Sequence, residues 1–526
     1  MLVPVALVAA VVGCWILGSA PSSGPDEPAH VIRSAELIRG HLDGMLGSDP
    51  GTGLAELPAW IGSPDPVCFA QHPYTPASRA TTDPTPDGTE IRYTAATSYP
   101  IWGHLTASLG TLAPASVGTW SVRVASAVPP VLLLGCALVV AARRSRLTAI
   151  AVFASLTPMA WFTLGVVNPS ALVIAGGVAL AASAPEAVTG SRSQRWLVVA
   201  AWAAMALPRR DGLIWASVGL GVVLIGLGIP AGAWLRSFSR PQLAMLGLST
   251  AWPVVAGLRG EAGAMRFIVL APIALVGAVG VEWAWKRWAD TTAKRIAGTG
   301  LLIVGGLVGY ALLAMQRSNG FDRYYLRLVL HRTGENLTEA IGVMGWLDTP
   351  VPASAVLLWA VAFGLLASAA IQAGAMRIVW SAVAVVAAAI VASWVIESVH
   401  DAYSGTYWQG RYYLPLLVFA PILLGRVSIP DAVARRLSTA VGIAVLIVIN
   451  VAFAASMRRW GVGLAGSMLP WDWDTYATPV APVVLLGVHV GATVTLAGWC
   501  AQWFSWRGDP QRVGASDPDT AVTSTW

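Results

Sequence analysis

Long apolar runs recur along almost the whole chain, broken by short connections rich in Arg, Pro and Gly. A helix that crosses the hydrocarbon core of a bilayer needs about 20 apolar residues. That ruler predicts spans near 2–20, 119–141, 147–166, 169–184, 196–208, 212–232, 242–258, 266–284, 296–314, 351–372, 376–396, 412–426, 437–455 and 482–504, about fourteen in all. Residues 99–115 read as an extra interfacial or re-entrant piece. The first run lacks the basic flank of a signal peptide and further spans follow, so it reads as a retained transmembrane helix. The expected fold is an all-α polytopic membrane protein.

Four segments are too polar for lipid: 21–98, 315–350, 397–411 and 456–481. The expected organisation is a transmembrane domain over 1–455 that includes the long loops 21–98 and 315–350. A further loop and the last helix occupy 456–504, and a disordered cytoplasmic tail is expected over 505–526.

Composition sharpens this picture. Of 526 residues, 56% are hydrophobic and only 11% charged, against about 25% charged in a soluble domain. Soluble enzymes, secreted domains and disordered scaffolds are thereby excluded. The net charge of +6 is unevenly placed, because residues 21–98 carry ten Asp and Glu against four Arg. Basic residues concentrate in short connections: Arg143, Arg144 and Arg146, Lys286-Arg287, Lys294-Arg295, and Arg435-Arg436. All of these fall on one side if both termini are cytoplasmic, which is the topology signal of a cell-membrane protein and no nucleic-acid footprint. The four polar segments then face outward, with His30, His41, His72, His104, His331 and His400. One hairpin resists, since 196–208 is short for a span and Arg209-Arg210-Asp211 then falls on the outer side. Cys14, Cys68, Cys136 and Cys500 form no disulfide framework or metal spacing.

The outer segments hold the candidate chemistry. Pro25-Asp26-Glu27-Pro28-Ala29-His30 directly follows the first span, and Pro28 suits the first turn of a helix. Residues 28–40 read as an amphipathic interfacial helix with Val31, Ala35, Ile38 and Leu42 on its apolar stripe and Glu27, His30, Arg33 and Ser34 off it. Asp26 either caps this helix or acts as a general base at the water–lipid boundary; spacing does not choose. Tyr407-Trp408-Gln409-Gly410-Arg411-Tyr412-Tyr413 lies at the outer mouth of an apolar run. Its Arg fork matches phosphate oxygens and its aromatics suit a sugar face, or the set is an interfacial anchor. Arg209 and Arg210 make a similar pair. Met344-Gly345-Trp346-Leu347-Asp348-Thr349-Pro350 and Trp471-Asp472-Trp473-Asp474 are further aromatic–acidic clusters, typical of carbohydrate subsites and equally of interfacial belts. No phosphate-binding Gly-Lys loop or soluble nucleotide domain is encoded, so a lipid-carried donor fits better than a cytoplasmic sugar nucleotide.

Asp-Glu-Pro-Ala-His with Arg33 and Gly40, Asn168-Pro169, Gly-Trp-Leu-Asp-Thr-Pro at 345–350 and Gln-Gly-Arg-Tyr-Tyr-Leu-Pro at 409–415 resemble a family of bacterial predicted membrane proteins classed as a domain of unknown function. The likeness runs from about residue 20 to 430 in consistent order. That family is similar to the GT-C superfamily of polytopic glycosyltransferases, whose first outer loop carries a catalytic acidic motif just after the first helix.

The resemblance implies transfer of a sugar from a polyprenyl-phosphate donor to a cell-envelope glycan or glycolipid acceptor, with membrane lipids as surroundings. It places the catalytic role on Asp26, with Glu27 as the neighbouring candidate. Substrate-binding candidates are His30, Arg33, Arg209, Arg210, Trp346, Asp348, Gln409, Arg411 and Tyr412. No cofactor is required in principle, although some GT-C branches use a divalent cation. The alternatives are a transporter or flippase of lipid-linked envelope precursors, disfavoured by the few charges at mid-span, and an envelope assembly protein with an idle loop.

Overall fold

The structure, a computed structural model, describes residues 2–41, 52–80, 88–97, 99–259, 323–398, 408–473 and 480–502. The expected spans near 266–284 and 296–314 lie outside the described residues, as do Lys286-Arg287, Lys294-Arg295, Leu42, His400, Tyr407, Asp474 and the 505–526 tail.

Helices dominate. α1 (Leu2–Gly18) is followed by α2 (Glu27–Ile38), α3 (Leu105–Gly110), α4 (Gly118–Arg144), α5 (Arg146–Ser155) and α6 (Pro158–Gly165). Then come α7 (Ser170–Ser183), α8 (Arg192–Ala206), α9 (Gly212–Leu227), α10 (Ala231–Arg236) and α11 (Arg240–Arg259). The later part holds α12 (Arg323–Gly342), α13 (Ala353–Gln372), α14 (Met376–Ser398), α15 (Leu414–Leu417), α16 (Phe419–Leu424), α17 (Asp431–Val462) and α18 (Pro482–Ala501). Six helical segments among the described residues are long and apolar enough to cross a membrane: Ala115–Arg144, Ser170–Ala187, Ala353–Gln372, Met376–Trp394, Asp431–Val462 and Pro482–Ala501.

Two expected spans take a different form. The run 147–166 is not one rod: α5 and α6 meet at a bend of 68°. Thr157 caps α6 with its side chain and Pro158 opens it, because a Pro lacks the N–H that a continuous helix would need there. The run 412–426 is likewise divided into a 3-10 turn at Gly410–Tyr413, α15 and α16, with Pro415 and Pro421 removing donors from its ladder.

α1 packs against α4, α6 and α18, while α7 packs on α4 and α8, and α17 on α13, α5 and α18. The core is built of Val, Ala, Leu and Trp, with Trp15, Trp161, Trp215 and Trp460 fully buried. Two short antiparallel ribbons complete the fold. β1 (Gly53–Pro58) pairs with β2 (Thr89–Thr94). β3 (Val343–Met344) pairs with β4 (Thr349–Pro350), which makes the Gly-Trp-Leu-Asp motif a tight hairpin. Its turn uses left-handed backbone at Gly345 (φ 64°) and Leu347 (φ 61°).

α2 forms where expected but not as a surface helix. Val31 and Ala35 are buried, and so are Glu27, His30, Arg33, Ser34 and Glu36 on the opposite side, while Ile38 is exposed. A helix lying on lipid would keep its polar face in water; this one is enclosed on both faces, by α3, the β-ribbon and the segment leading to α4. Polar burial of that extent requires specific partners, and these define the site.

Candidate active site

The turn joining α1 to α2 is fixed by a buried ion pair. Arg123, on α4, places all five of its donors: Nη1 on the carbonyls of Ile16 (3.0 Å) and Ser19 (2.6 Å), Nη2 on that of Ala20 (2.7 Å) and on Glu27 Oε2 (2.8 Å), and Nε on Glu27 Oε1 (2.7 Å). The last carbonyls of a helix have no intrahelical partner, and a cation there is favoured by the helix dipole, so Arg123 caps α1 while neutralising Glu27. Glu27 also accepts from the backbone N–H groups of Gly24 (3.1 Å) and Val167 (3.0 Å). It is 1% exposed. Both oxygens of Glu27, the neighbouring catalytic candidate, are thus doubly engaged in a buried ion pair.

Asp26 has the opposite environment. It occupies the N-cap position of α2 but with φ 61° and ψ 8°, and its side chain makes no capping bond. Left-handed backbone costs about 1–2 kcal/mol for a residue with a Cβ, and Asp is among the few that visit it. The result is that the carboxylate turns away from its own helix. Its side chain is 49% exposed, and Oδ2 accepts from Arg411 Nη2 at 2.9 Å. The capping alternative for Asp26 is thus excluded by geometry.

Arg411 is 2% exposed, and its loop is tightly fixed. Glu397 accepts from the backbone N–H of Trp408 (2.9 Å), and Glu339 from that of Gly410 (2.9 Å). A Cβ on Gly410 would stand 2.3 Å from the carbonyl oxygen of Asn336, so only glycine lets the loop lie against α12. Tyr413 is pinned by Ser393 at 2.7 Å. Arg411 therefore comes to Asp26 from 385 residues along the chain on a rigid mount. Its Nε and Nη1 are buried and have no partner among the described residues. Unmade bonds on a buried donor cost about 1–3 kcal/mol each, so these nitrogens favour an incoming anion.

Tyr412 lies between two guanidiniums, with Arg411 at 5.1 Å and Arg209 at 4.8 Å from its ring centre. Arg209 is held by Asp211 (Nε–Oδ1 2.9 Å, Nη2–Oδ2 3.1 Å) and donates to Ser170 Oγ at 3.0 Å. Burial opposes its charge, but Asp211, Tyr99 and Tyr412 together overcome burial and hold Arg209 protonated well above the ordinary range. Burial likewise opposes the charge on Asp211, and Arg209 outweighs it, lowering the Asp211 carboxyl. Arg209 is thus already neutralised, and Arg210 is exposed. Asn168 closes the ring: its Oδ1 accepts from the Ser170 N–H at 2.9 Å, and its amide reaches the carbonyl of Pro25 at 3.5 Å.

His30 is fully buried, 3.1 Å from His104 through its Nδ1, and edge-on to Tyr99 at 4.9 Å. Burial, with Arg411 and Arg209 nearby, lowers its pKa to about 3, so the ring is neutral at ordinary pH. Tyr99 is raised by burial and sits in the field of Arg209, Tyr412, Asp26 and Arg411, which makes it a neutral member of the same cluster. Trp346 donates from Nε1 to the carbonyl of Ser22 at 3.0 Å and braces the turn before Asp26. Gln409 opens the Arg411 turn with a buried Oε1 that has no partner among the described residues.

Two candidates lie elsewhere. Arg33 bonds Glu36 (3.3 Å) and the carbonyl of His41 (3.1 Å) within the α2 region. Asp348 accepts from Arg459 Nη2 at 2.8 Å and from Thr349 at 2.9 Å. Arg459 also gathers the carbonyls of Phe69, His72 and Thr75, so Asp348 ties the hairpin and the loop to α17. Both candidates stand in buried ion pairs, away from the Asp26–Arg411 contact. Trp473 and Asp472 close a turn on Ser467. Among the described residues no three His, Cys, Asp or Glu side chains converge as a metal-holding group. Arg123 and Tyr99 were not singled out by the sequence, and His104 and Asp211 carried no assigned role there; Arg123 alone of the four is a charge inside an apolar run, which has to find a partner.

The chain belongs to the family described as predicted membrane protein (DUF2142), whose model matches residues 10–420. Among solved structures it is similar to ArnT from Cupriavidus metallidurans in the apo state, at 18% identity and a TM-score of 0.36, over 95% of this chain and 77% of that one. At that distance no residue role passes from ArnT to this chain. No curated protein matches.

Proposed function

We propose, from the premise of membership in that membrane-protein family, that the chain is an integral membrane glycosyltransferase of GT-C type. It would take a sugar from a polyprenyl-phosphate donor and give it to an envelope glycan or glycolipid. The observation that carries this reading is the Asp26–Arg411 pair: a half-exposed carboxylate beside a buried guanidinium with two unsatisfied nitrogens. In the proposed displacement the acceptor hydroxyl oxygen attacks the anomeric carbon and its proton passes to Asp26. The bond from the anomeric carbon to the phosphate oxygen breaks, and its electron pair stays with the leaving phosphate. The charge gained there is met by Arg411, since Arg209 is already committed to Asp211. Tyr412 and Tyr99 offer aromatic faces and hydroxyls around the pair, and neutral His30 supports Tyr99. Fixing both reactants at one site supplies much of the acceleration.

The test is the envelope glycan profile of a strain lacking the chain. A missing or truncated glycan or glycolipid is expected, restored by the wild-type gene and not by Asp26→Asn. Unchanged envelope polysaccharides and glycolipids in a strain with no redundant relative would overturn the proposal.

A further inference from the structure

A second polar site lies at the other end of the bundle. α4 has Arg123 at the Asp26 end and Arg144 in its last turn, about 30 Å away at 1.5 Å per residue. α17 runs in reverse, from Asp431 to the Arg459 end, about 42 Å at the same rise. Where α4 ends and α5 and α17 begin, a cavity of about 380 Å³ opens, within the range of about 300–1,000 Å³ typical of ligand sites.

Three arginines line it: Arg144, Arg146 and Arg426. Arg426 is nearly buried and held by Glu186 and by the carbonyl of Ala182 at 3.2 Å. Arg146 pairs with Asp431 at 3.3 Å, but Asp431 is shared with Arg435 at 3.1 Å. Arg144 forms no ion pair among the described residues. The cavity is therefore net positive, with two guanidiniums under-neutralised. Its remaining wall is mixed: Ser145, Ser428, Asp431 and Gln502 are polar, while Ala142, Leu147, Val427, Ile429 and Ala434 are apolar. A phosphodiester attached to a glycerol can use the guanidiniums and the apolar part together, and the cavity stands at the ends of α4 and α17, two helices long and apolar enough to span a membrane.

We propose that this cavity binds the phosphate headgroup of an anionic phospholipid in the leaflet opposite Asp26, with Arg144 and Arg146 as its charge partners and Leu147 and Val427 against its glycerol. Cationic pockets between transmembrane helices suit such headgroups. The inference stands apart from the proposed transferase activity.

The experiment uses the full chain purified in detergent, with lipid retention read by native mass spectrometry and thermal stabilisation. The probes are phosphatidylglycerol, phosphatidylcholine and inorganic phosphate. Phosphatidylglycerol should bind selectively. Arg144→Gln, an exposed and unpaired side chain, should weaken it about 5-fold, and Arg144→Gln with Arg146→Gln about 30-fold, or about 2 kcal/mol. Arg143→Gln with Arg436→Gln, both exposed and outside the cavity lining, should change it less than about 3-fold. Equal binding of the two lipids, an equal effect of inorganic phosphate, or equal losses from the outer pair would each overturn the proposal.

Discussion

Adjacent carboxylates with opposite fates make the sharpest prediction. Glu27 is 1% exposed and holds two bonds from Arg123 and two from backbone N–H groups. In Glu27→Gln the amide nitrogen faces donors, and Arg123, 1% exposed, loses its counter-charge. Breaking a buried pair from one side costs about 3–5 kcal/mol. Asp26, at 49% exposure with one ion pair, is worth about 1 kcal/mol to stability, since Arg411 keeps the oxygen and ring of Tyr412. Loss of a general base lowers rate about 10²–10⁴-fold. Asp26→Asn should therefore melt close to wild type yet fail to restore the glycan in a deletion strain, while Glu27→Gln should melt far earlier. Unfolding curves of the purified proteins in one detergent, set beside the glycan profiles, decide it. An Asp26→Asn variant that restores the glycan fully, or a Glu27→Gln variant as stable as wild type, would refute the assignment.

Other predictions follow from the same geometry. Arg411→Lys keeps the charge but loses the planar fork, so glycan formation should fall about 10²–10³-fold with little change in melting temperature. His30 has its pKa lowered from 6.5 to about 3 by burial and by Arg411 and Arg209. Its contribution to stability is thus complete above about pH 6.5 and is lost as pH falls towards 3; melting temperature against pH should flatten over that window in His30→Asn, and identical slopes would contradict the burial of a neutral ring. Gly345 has φ 64°, and a Cβ there would stand 2.7 Å from Asp348 Oδ1 and 2.8 Å from the Trp460 ring. Gly345→Ala should cost about 2 kcal/mol, read from denaturant or thermal unfolding.

The membrane-spanning character of this protein was legible in its sequence, because lipid imposes one local requirement that a run of side chains either meets or fails. The start of α2 was legible for a similar reason: Pro28 and the neighbouring acids act within a single turn. The Gln-Gly-Arg-Tyr motif drew notice through its residue types alone, and so did Trp346.

Pairing was not legible. Glu27 meets Arg123 across 96 residues, Asp348 meets Arg459 across 111, and Asp26 meets Arg411 across 385. Of the expected apolar stripe of α2, Val31 and Ala35 are buried and Ile38 is exposed, and the polar face of that helix is buried too, because α3 and α4 pack beside it and bring His104 and Arg123. Asp26 and Glu27 carry the same chemistry one position apart. Only the left-handed turn at Asp26 sends one carboxylate outward to Arg411 and leaves the other inside, and that twist is set by what the surrounding helices bring to each oxygen.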